Sequence, residues 1–210
     1  MTTYRFDHAV SAVRDLDVAA ARWEDRYGLV SVAGGRHGRW GTANRIVPLG
    51  QDYLELLAVV EPAVAAGSVL GRRLLDLTAH GDRWFSVCLA DDDIDATAAR
   101  LGLTVEPGSR TTPEGVGLRW RGAGIDAEER ELWLPFFIAW DVPAELHPGR
   151  TVVTHHVQVE GIAEAEISGD ATRLREWLGD ADVPLRVTAG SNGVRSVSLR
   201  RPGGPPLVVR

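Results

Sequence analysis

The stretch HAVSAVRDLDVAAARW at residues 8–23 returns in altered form as SVCLADDDIDATAARL at residues 86–101. Each copy has an apolar run with strand character, an acidic turn, and an alanine-rich stretch that closes on Ala-Ala-Arg and one large side chain. Acidic side chains stabilise the start of a helix, because they accept hydrogen bonds from its free amides and face the positive end of its dipole. Self-similarity of this kind indicates repeated supersecondary units. The sequence therefore predicts two modules that each begin with a strand and a helix, with Asp15 and Asp93 as the helix caps.

Apolar runs separated by turn residues follow each helix and indicate three further strands per module. These strands are predicted at 29–33, 42–48 and 53–60 in the first module and at 103–106, 117–121 and 132–140 in the second. The glycine pair at 34–35 is interpreted as a turn. The helices are predicted to end at Gly28 and near Gly102, because glycine readily adopts the left-handed conformation that follows a helix.

This pattern predicts an α+β fold in which repeated βαβββ modules form a curved mixed sheet with helices on its outer face. A partial third module follows, with an extra strand expected at 151–160. Because one module cannot bury both faces of its sheet, the modules are expected to pack together as one domain with a concave cleft for a small ligand. The predicted organisation is a first module at 1–62, a helical linker at 63–80, a second module at 81–142 and the partial third module at 150–210.

The composition argues against nucleic-acid-binding, membrane and secreted proteins. The chain has 210 residues and a formal net charge of −6 with both signs interspersed, so binding to nucleic acid is not expected. No apolar run of membrane-spanning length and no secretory signal are apparent, which predicts a cytoplasmic protein without a membrane partner. The single cysteine, Cys88, lies in the apolar run WFSVCLA and is expected to be a buried strand residue. The segment DAEERE at 126–131 is interpreted as a solvated loop.

His8 and Glu55 are the first candidate site residues. His8 lies on the first predicted strand, and Glu55 lies on the last strand of the same module, in YLELLAVVE. Strand alternation places Glu55 on one face with Tyr53 and Leu57. A carboxylate among apolar side chains needs a cation or a hydrogen-bond donor, and an imidazole with a carboxylate suits a divalent metal. The alternative is a core histidine, and a glutamate that faces solvent or pairs with Arg45.

This first-strand histidine and last-strand glutamate resemble the metal-ligand pair of the vicinal-oxygen-chelate (VOC) superfamily, which includes glyoxalases, extradiol dioxygenases, epimerases and antibiotic-resistance proteins. More closely, roughly residues 4–141 resemble the glyoxalase-like domain family. The shared motifs are His37, Gly-Thr-x-Asn at 41–44, Tyr-Leu-Glu-Leu at 53–56, Gly-Ser-Arg at 108–110, Leu-Arg-Trp at 118–120 and Pro-Phe-Phe-Ile-Ala-Trp at 135–140. The resemblance implies a small-molecule ligand and either a divalent metal (Zn, Mn, Fe or Ni) or no cofactor. The sequence leaves open whether the two modules pair within one chain or across a homodimer.

The second module departs from the metal-binding pattern. Ser86 occupies the position equivalent to His8, and the segment ELWLPFFIAW carries no carboxylate in its apolar centre. Only half of a four-ligand metal site is therefore evident, in His8 and Glu55. His37 is the predicted third metal ligand, because it lies in a glycine-rich stretch that could fold over the cleft as a loop, with an exposed loop histidine as the alternative.

Further residues are predicted to line the cleft. Thr42 and Asn44 lie two positions apart on one strand face, where they either hydrogen-bond a ligand or only shape a turn. Arg110 either clamps a carboxylate or phosphate or is a solvated arginine. The predicted ligand-binding set is His37, Thr42, Asn44, Tyr53, Arg110, Trp120 and Trp140.

Two functions remain in view, and the sequence does not decide whether the chain is an enzyme. The first is a lyase or isomerase of the glyoxalase type, with His8 and Glu55 as catalytic residues. They would hold a metal that polarises an oxygen-rich metabolite, or Glu55 would act as a general base without metal. The second is a metal-free protein that binds and sequesters a natural product or drug, which the missing second-module ligands and the many tryptophans favour.

Overall fold

The repeated stretch builds both halves of an eight-stranded barrel in the computed structural model, which describes residues 4–179 and 181–210. Asp15 accepts hydrogen bonds from the amides of Asp17 and Val18, and Gly28 ends the helix in the left-handed conformation with φ 70°. Both terminal signals predicted from the sequence are thereby confirmed. The first half comprises β1 (Tyr4–Ala12), α1 (Leu16–Tyr27), β2 (Val32–His37), β3 (Thr42–Pro48) and β4 (Tyr53–Val59).

The second half repeats this order of elements. Asp93 caps its helix by accepting from the amide of Ala96, and Gly102 ends it with φ 68°. The elements are β5 (Arg83–Asp91), α4 (Ile94–Leu101), β6 (Val105–Thr111), β7 (Gly117–Ala123) and β8 (Phe136–Trp140).

The eight strands close into a barrel in the order β1-β4-β3-β2-β6-β7-β8-β5. The first and last strands of each half pair in parallel, and β1 pairs with β5 along its whole length. The opposite seam, between β2 and β6, is narrow, with Arg36 opposite Thr111 as its one residue pair in the described chain. The α+β fold of repeated βαβββ modules is thus confirmed, and the curved sheet closes on itself.

The segment between the halves forms α2 (Pro62–Ala65) and α3 (Val69–Thr78). Leu70 and Leu74 of α3 are buried and belong to the same apolar cluster as the strand residues Val10, Leu57 and Phe136. Helix α3 therefore covers one end of the barrel.

The third unit forms a separate four-stranded sheet in the order β10-β9-β11-β12. Its helix packs on the outside of the barrel, where Trp177 stacks on Phe137 and donates its indole N–H to the carbonyl of Pro135. The elements are β9 (Ile162–Ser168), α5 (Ala171–Leu178), β10 (Leu185–Thr188), β11 (Gly193–Leu199) and β12 (Leu207–Val209). Within the described ranges, no helix combines the length and apolarity needed to cross a membrane.

The extra strand expected at 151–160 is not formed, because that segment joins no strand ladder. Its polar groups bond to loops instead. The amide of His156 donates to the carbonyl of Gly28, and the His155 ring lies between the amide of Val30 and the carbonyl of Pro48. Strand-like alternation arises here because every second side chain packs against the barrel exterior.

The glycine pair at 34–35, expected to form a turn, instead lies inside β2. Gly34 packs directly against the amide group of Asn44, where an added Cβ would overlap that side chain. Glycine is present here for a close approach between two strands rather than for chain reversal.

Gly108 in β6 makes a similar close approach, to the indole ring of Trp120. We expect Gly108→Ala to push this ring out of place and to lower the free energy of unfolding by about 1 to 3 kcal/mol, the usual cost of overpacking. Urea unfolding followed by tryptophan fluorescence measures the change. Gly117→Ala is the matched control, because an added Cβ there meets no atom within 4 Å. Equal stability of the two variants would contradict this packing.

Candidate active site

His8 and Glu55 converge inside the barrel. His8 on β1 is the register partner of Tyr53 on β4, and the side chains of both strands alternate between the interior and the exterior. His8 Nε2 lies 3.6 Å from Glu55 Oε2, with 3% and 9% of the side chains exposed. Arg45, the alternative partner of Glu55, instead bonds to Ser31 and Asp17. At 3.6 Å the two atoms are too far apart for a direct hydrogen bond, so both can act on a third group.

Asp7 is a site residue that sequence reasoning missed. The pairing of β1 with β5 jumps from Phe6 opposite Leu89 to His8 opposite Cys88, so Asp7 is the extra residue of a β-bulge. The bulge turns its carboxylate toward the site, and Asp7 Oδ1 lies 2.5 Å from His8 Nδ1. Strict alternation would have sent neighbouring side chains to opposite faces, and the one signal in the sequence is an acidic residue within an apolar strand.

Asp7 is held as an anion by three donors. Its Oδ2 accepts from the Trp140 indole at 2.9 Å and from His147 Nε2 at 3.1 Å. Burial opposes its ionisation, but the hydrogen bonds from His147 and His8 outweigh burial and hold the pKa of Asp7 well below its usual range. His147 Nδ1 accepts from the amide of Gly149, which leaves its proton on Nε2.

These contacts fix the tautomer of His8. An ionised carboxylate only accepts hydrogen bonds, so His8 Nδ1 donates to Asp7. Neutral His8 therefore carries its lone pair on Nε2, the atom that faces Glu55. The ring is held in place by Tyr53, which stacks on it with centroids 4.5 Å apart.

Glu55 is oriented by an amide. Asn44 Nδ2 donates to Glu55 Oε1 at 2.5 Å, which leaves Oε2 to face His8. Asn44 Oδ1 is buried and accepts no hydrogen bond from the described part of the chain. Burial also raises the pKa of the Tyr53 phenol well above its ordinary value, with nearby Asp7 and Glu55 adding to the effect.

His37 is the last residue of β2 and is buried, so its expected position in a loop is wrong. Its Nδ1 lies 3.1 Å from Thr42 Oγ1. Burial lowers the pKa of His37 from 6.5 to about 4, and the nearby cation of Arg110 contributes while Glu55 opposes the shift. His37 is therefore neutral at pH 7.

The remaining candidates lie around a cavity of about 40 Å³. Arg110 is buried and donates to the carbonyl of Gly34, and burial lowers its pKa despite the attraction of Tyr53 and Glu55. The rings of Trp120 and Trp140 lie 5.5 Å apart. The predicted residues that line the cavity are His8, His37, Asn44, Tyr53, Glu55, Arg110, Trp120 and Trp140.

Thr42 is the exception among the predicted residues, because it contacts His37 behind the cavity wall rather than the cavity itself. Trp40 and Leu70 also line the cavity and were not predicted. Their positions depend on the loop after β2 and on α3, and no local pattern in the sequence places either of them at the site.

Two groups of side chains could bind a divalent metal: the pair His8 and Glu55, and the group Asp7, His8 and Cys88. Ligands about 2.1 Å from a shared ion lie at most about 4.2 Å apart, and the atoms of His8 and Glu55 meet this limit at 3.6 Å. Asp7 and Asn44 hold their other polar atoms, as outer-shell partners hold metal ligands. These two residues therefore fit as a pair of ligands.

A third ligand is less evident. Over residues 4–179 and 181–210, Asp7, His8 and Cys88 form the one group of three whose ligand atoms lie within 4.8 Å of one another, so His37 is not gathered with His8 and Glu55. Both Asp7 oxygens are already hydrogen-bonded, and burial raises the pKa of the Cys88 thiol well above its ordinary value. A metal at this group would have to displace those bonds and deprotonate the thiol, so the His8 and Glu55 pair is the better donor set.

Comparison with solved structures finds one that shares the fold and others with more limited similarity. A hypothetical protein from Staphylococcus aureus superposes with a TM-score of 0.72 at 17% identity, over 90% of this chain and 87% of that one. Methylmalonyl-CoA epimerase from Mycobacterium tuberculosis gives a TM-score of 0.45 at 19% identity, over 66% of this chain and 89% of that one. The Streptomyces coelicolor methylmalonyl-CoA epimerase, in complex with 2-nitronate-propionyl-CoA, gives 0.46 at 20% identity over 68% and 97%.

No curated protein matches the sequence significantly. The glyoxalase-like domain family, by contrast, matches residues 6–181, which is most of the chain and includes both halves of the barrel. This chain belongs to the glyoxalase-like domain family.

Proposed function

We propose that this chain is an enzyme that moves a proton on a small oxygen-rich metabolite, in an isomerase or lyase reaction of the glyoxalase type. The observation that carries the proposal is the buried arrangement of Asp7, His8 and Glu55, in which the basic nitrogen of one residue faces the carboxylate of another at 3.6 Å. The cytoplasmic location is a prediction of the sequence that accompanies this proposal, and the sequence leaves a homodimer open.

The proposed reaction begins at a carbon next to a carbonyl group. His8 Nε2 accepts the proton of that carbon, the C–H electron pair forms a C=C bond, and the C=O π pair moves to the oxygen to give an enolate. Arg110 supplies a positive charge near the developing oxyanion, and in this buried cavity its field is weakly screened. In a 2-hydroxy carbonyl ligand, His8 returns the proton to the former carbonyl carbon while the hydroxyl proton moves to the oxygen of that carbon, which gives the isomer.

A divalent metal, when bound, would supply a Lewis acid that polarises the carbonyl oxygen of the ligand. His8 and Glu55 are the residues that would hold it, and Asp7 and Asn44 orient them for either role. Elemental analysis of protein purified without chelator distinguishes the two versions. Metal near one equivalent that is lost in Glu55→Gln supports the metal version, and its absence supports proton transfer by the side chains alone.

Binding without turnover is the second candidate, favoured by the aromatic walls that Trp40, Trp120 and Trp140 give the cavity. In such a protein, ligand binding would quench the tryptophan fluorescence, and the quenching would saturate as the ligand concentration rises. The ligand would be recovered chemically unchanged.

Deuterium exchange tests the proposed function. A set of 2-oxo and 2-hydroxy acids is incubated with the protein in D₂O, and proton NMR follows exchange at carbon. We expect exchange in at least one acid, and a loss of at least about 100-fold in His8→Gln and in Glu55→Gln, which is the scale of general acid–base catalysis. His156→Gln is the control, because that ring lies on the surface beside Glu24. Saturable binding without exchange, or exchange that survives both substitutions, would reject the proposal.

A further inference from the structure

The cavity is small for a metabolite. At about 40 Å³ it has room for roughly three water molecules, whereas ligand pockets commonly measure about 300 to 1,000 Å³. A molecule with several carbon atoms therefore needs additional space next to His8 and Glu55.

That space lies beyond the side chains of Trp140 and His147. An open cleft of about 950 Å³ separates the barrel from the third unit, and its walls include Asp7, Trp140 and His147. Trp140 borders both the cleft and the cavity. The His147 ring packs edge-on against Tyr53 at 5.7 Å and against Trp140 at 5.3 Å, and both of those rings line the cavity. The side chains of Asp7, Trp140 and His147 thus stand between the cleft and the cavity.

His147 is carried by a short irregular segment that makes few hydrogen bonds to the barrel, although Pro148 and Gly149 next to it are buried. It lies between two single 3-10 turns, Ala144–Leu146 and Pro148–Arg150. Within the part of the chain that the structure describes, residues 143–150 hydrogen-bond to the barrel at two places. These are His147 Nε2 with Asp7, and the carbonyl of Gly149 with the amide of Gly50.

The opposite end of the cavity is held more firmly. Asp126 accepts hydrogen bonds from the amide of Leu70 at 2.7 Å and from the indole of Trp40 at 3.3 Å. Arg73 of α3 donates to the carbonyls of residues 127, 128 and 130. Access past α3 would break this network, whereas access past His147 breaks one hydrogen bond to Asp7 and one to the neighbouring turn.

The cleft also offers a free cation. Arg150 is exposed, and its guanidinium forms no hydrogen bond or ion pair with residues 4–179 or 181–210. The other two arginines of the cleft are engaged, Arg5 with Asp92 and Arg200 with the carbonyls of residues 160 and 162. A guanidinium without a partner in a cleft of ligand size is suited to a carboxylate or phosphate.

We propose that the ligand enters through this cleft, past His147 and Trp140, and that the cleft binds its distal part. The ligand class is an elongated molecule with a small oxygen-bearing head that reaches His8 and an anionic tail that pairs with Arg150. The chemistry of the head rests on the proposed function, whereas the route and the tail site do not.

Labelling of the single cysteine tests the route. Cys88 is buried, with its Sγ within 4.8 Å of ligand atoms of Asp7 and His8. Asp7 lines the cleft and His8 lines the cavity, so reaction of Cys88 with 5,5′-dithiobis(2-nitrobenzoate) reports opening of the boundary between them. We expect His147→Ala to accelerate labelling at least about tenfold. His147→Phe is expected to label at nearly the wild-type rate, because it keeps the ring but loses the bond to Asp7. His156→Ala serves as the surface control, and urea unfolding of each variant corrects for loss of global stability.

Trp40→Ala opens the other end of the cavity. Fast labelling in that variant together with slow labelling in His147→Ala would overturn the proposed route. Equal acceleration by His147→Ala and His147→Phe would also overturn it, because the effect would then come from the lost hydrogen bond rather than from an opened passage.

The tail site is tested with 1-anilinonaphthalene-8-sulfonate, an aromatic anion. We expect it to bind wild-type protein, to slow the labelling of Cys88, and to bind Arg150→Glu at least about fivefold more weakly. Arg201→Glu is the matched control, because Arg201 is exposed in the third unit and lies outside the cleft. Unchanged binding to Arg150→Glu, or binding that leaves labelling unaffected, would overturn the tail site. Neither assay involves turnover, so both can be repeated in His8→Gln, and their failure is distinguishable from a failure of deuterium exchange.

Discussion

Asp7→Asn is expected to lower the rate of carbon deuterium exchange by about 10³- to 10⁴-fold, the scale seen when a buried carboxylate that orients a catalytic histidine becomes an amide. The substitution keeps the size of the side chain. Trp140 and His147 both donate to Asp7 Oδ2, so the amide oxygen must take that position. The amide NH₂ then faces His8 Nδ1 and donates to it. This moves the histidine proton to Nε2, which can no longer accept a proton from the ligand.

A matched variant separates this effect from general damage. Trp140→Phe removes one of the donors to Asp7 but leaves a carboxylate beside His8, so exchange should fall far less than in Asp7→Asn. Equal losses in the two variants would show that packing near Asp7, rather than the tautomer of His8, controls the reaction.

Stability is expected to fall by about 2 to 3 kcal/mol between pH 7 and pH 4.5 because of His37. Burial lowers the pKa of His37 from 6.5 to about 4. Between pH 6.5 and pH 4, His37 is therefore protonated in the unfolded chain but neutral in the folded chain. The contribution of His37 is complete above pH 6.5 and is lost as the pH falls toward 4. Urea unfolding at both pH values measures it.

His37→Gln isolates this contribution, because glutamine does not titrate and its amide can still hydrogen-bond Thr42. The variant should lose much less stability than the wild type between the two pH values. Asp7 adds a further loss only below its ordinary pKa, and Asp52, whose pKa burial raises, has the opposite sign. An identical pH dependence in wild type and His37→Gln would show that the ring is not held neutral by burial.

Local patterns account for what could be predicted from the sequence. The helix caps Asp15 and Asp93 act through bonds to amides two or three residues away, so a short stretch of sequence contains the whole signal. Alternation alone places Tyr53, Glu55 and Leu57 on one face of β4, and all three line the cavity. The repeat predicted the overall architecture, because two βαβββ units can bury the open faces of their sheets only by packing together.

Other features depend on distant parts of the chain. Asp7 reaches the site through a bulge that the pairing with β5 creates, and His147 arrives from beyond the second module. The prediction that residues 126–131 form a solvated loop is wrong at Arg130, whose exposed fraction is 0%. Its guanidinium donates to Ser86 and to the carbonyls of residues 124 and 134, and burial lowers its pKa from 12.5 to about 9. No single stretch of sequence shows that these carbonyls surround it.

The most direct measurement is the ¹⁵N NMR spectrum of the His8 ring in wild-type protein near pH 7, assigned by the loss of its signals in His8→Gln. The proposed proton transfer requires a protonated Nδ1, bonded to Asp7, and a bare Nε2 directed at Glu55. A proton found on Nε2 instead would mean that the histidine has no basic atom in the barrel cavity and would contradict the proposed proton transfer.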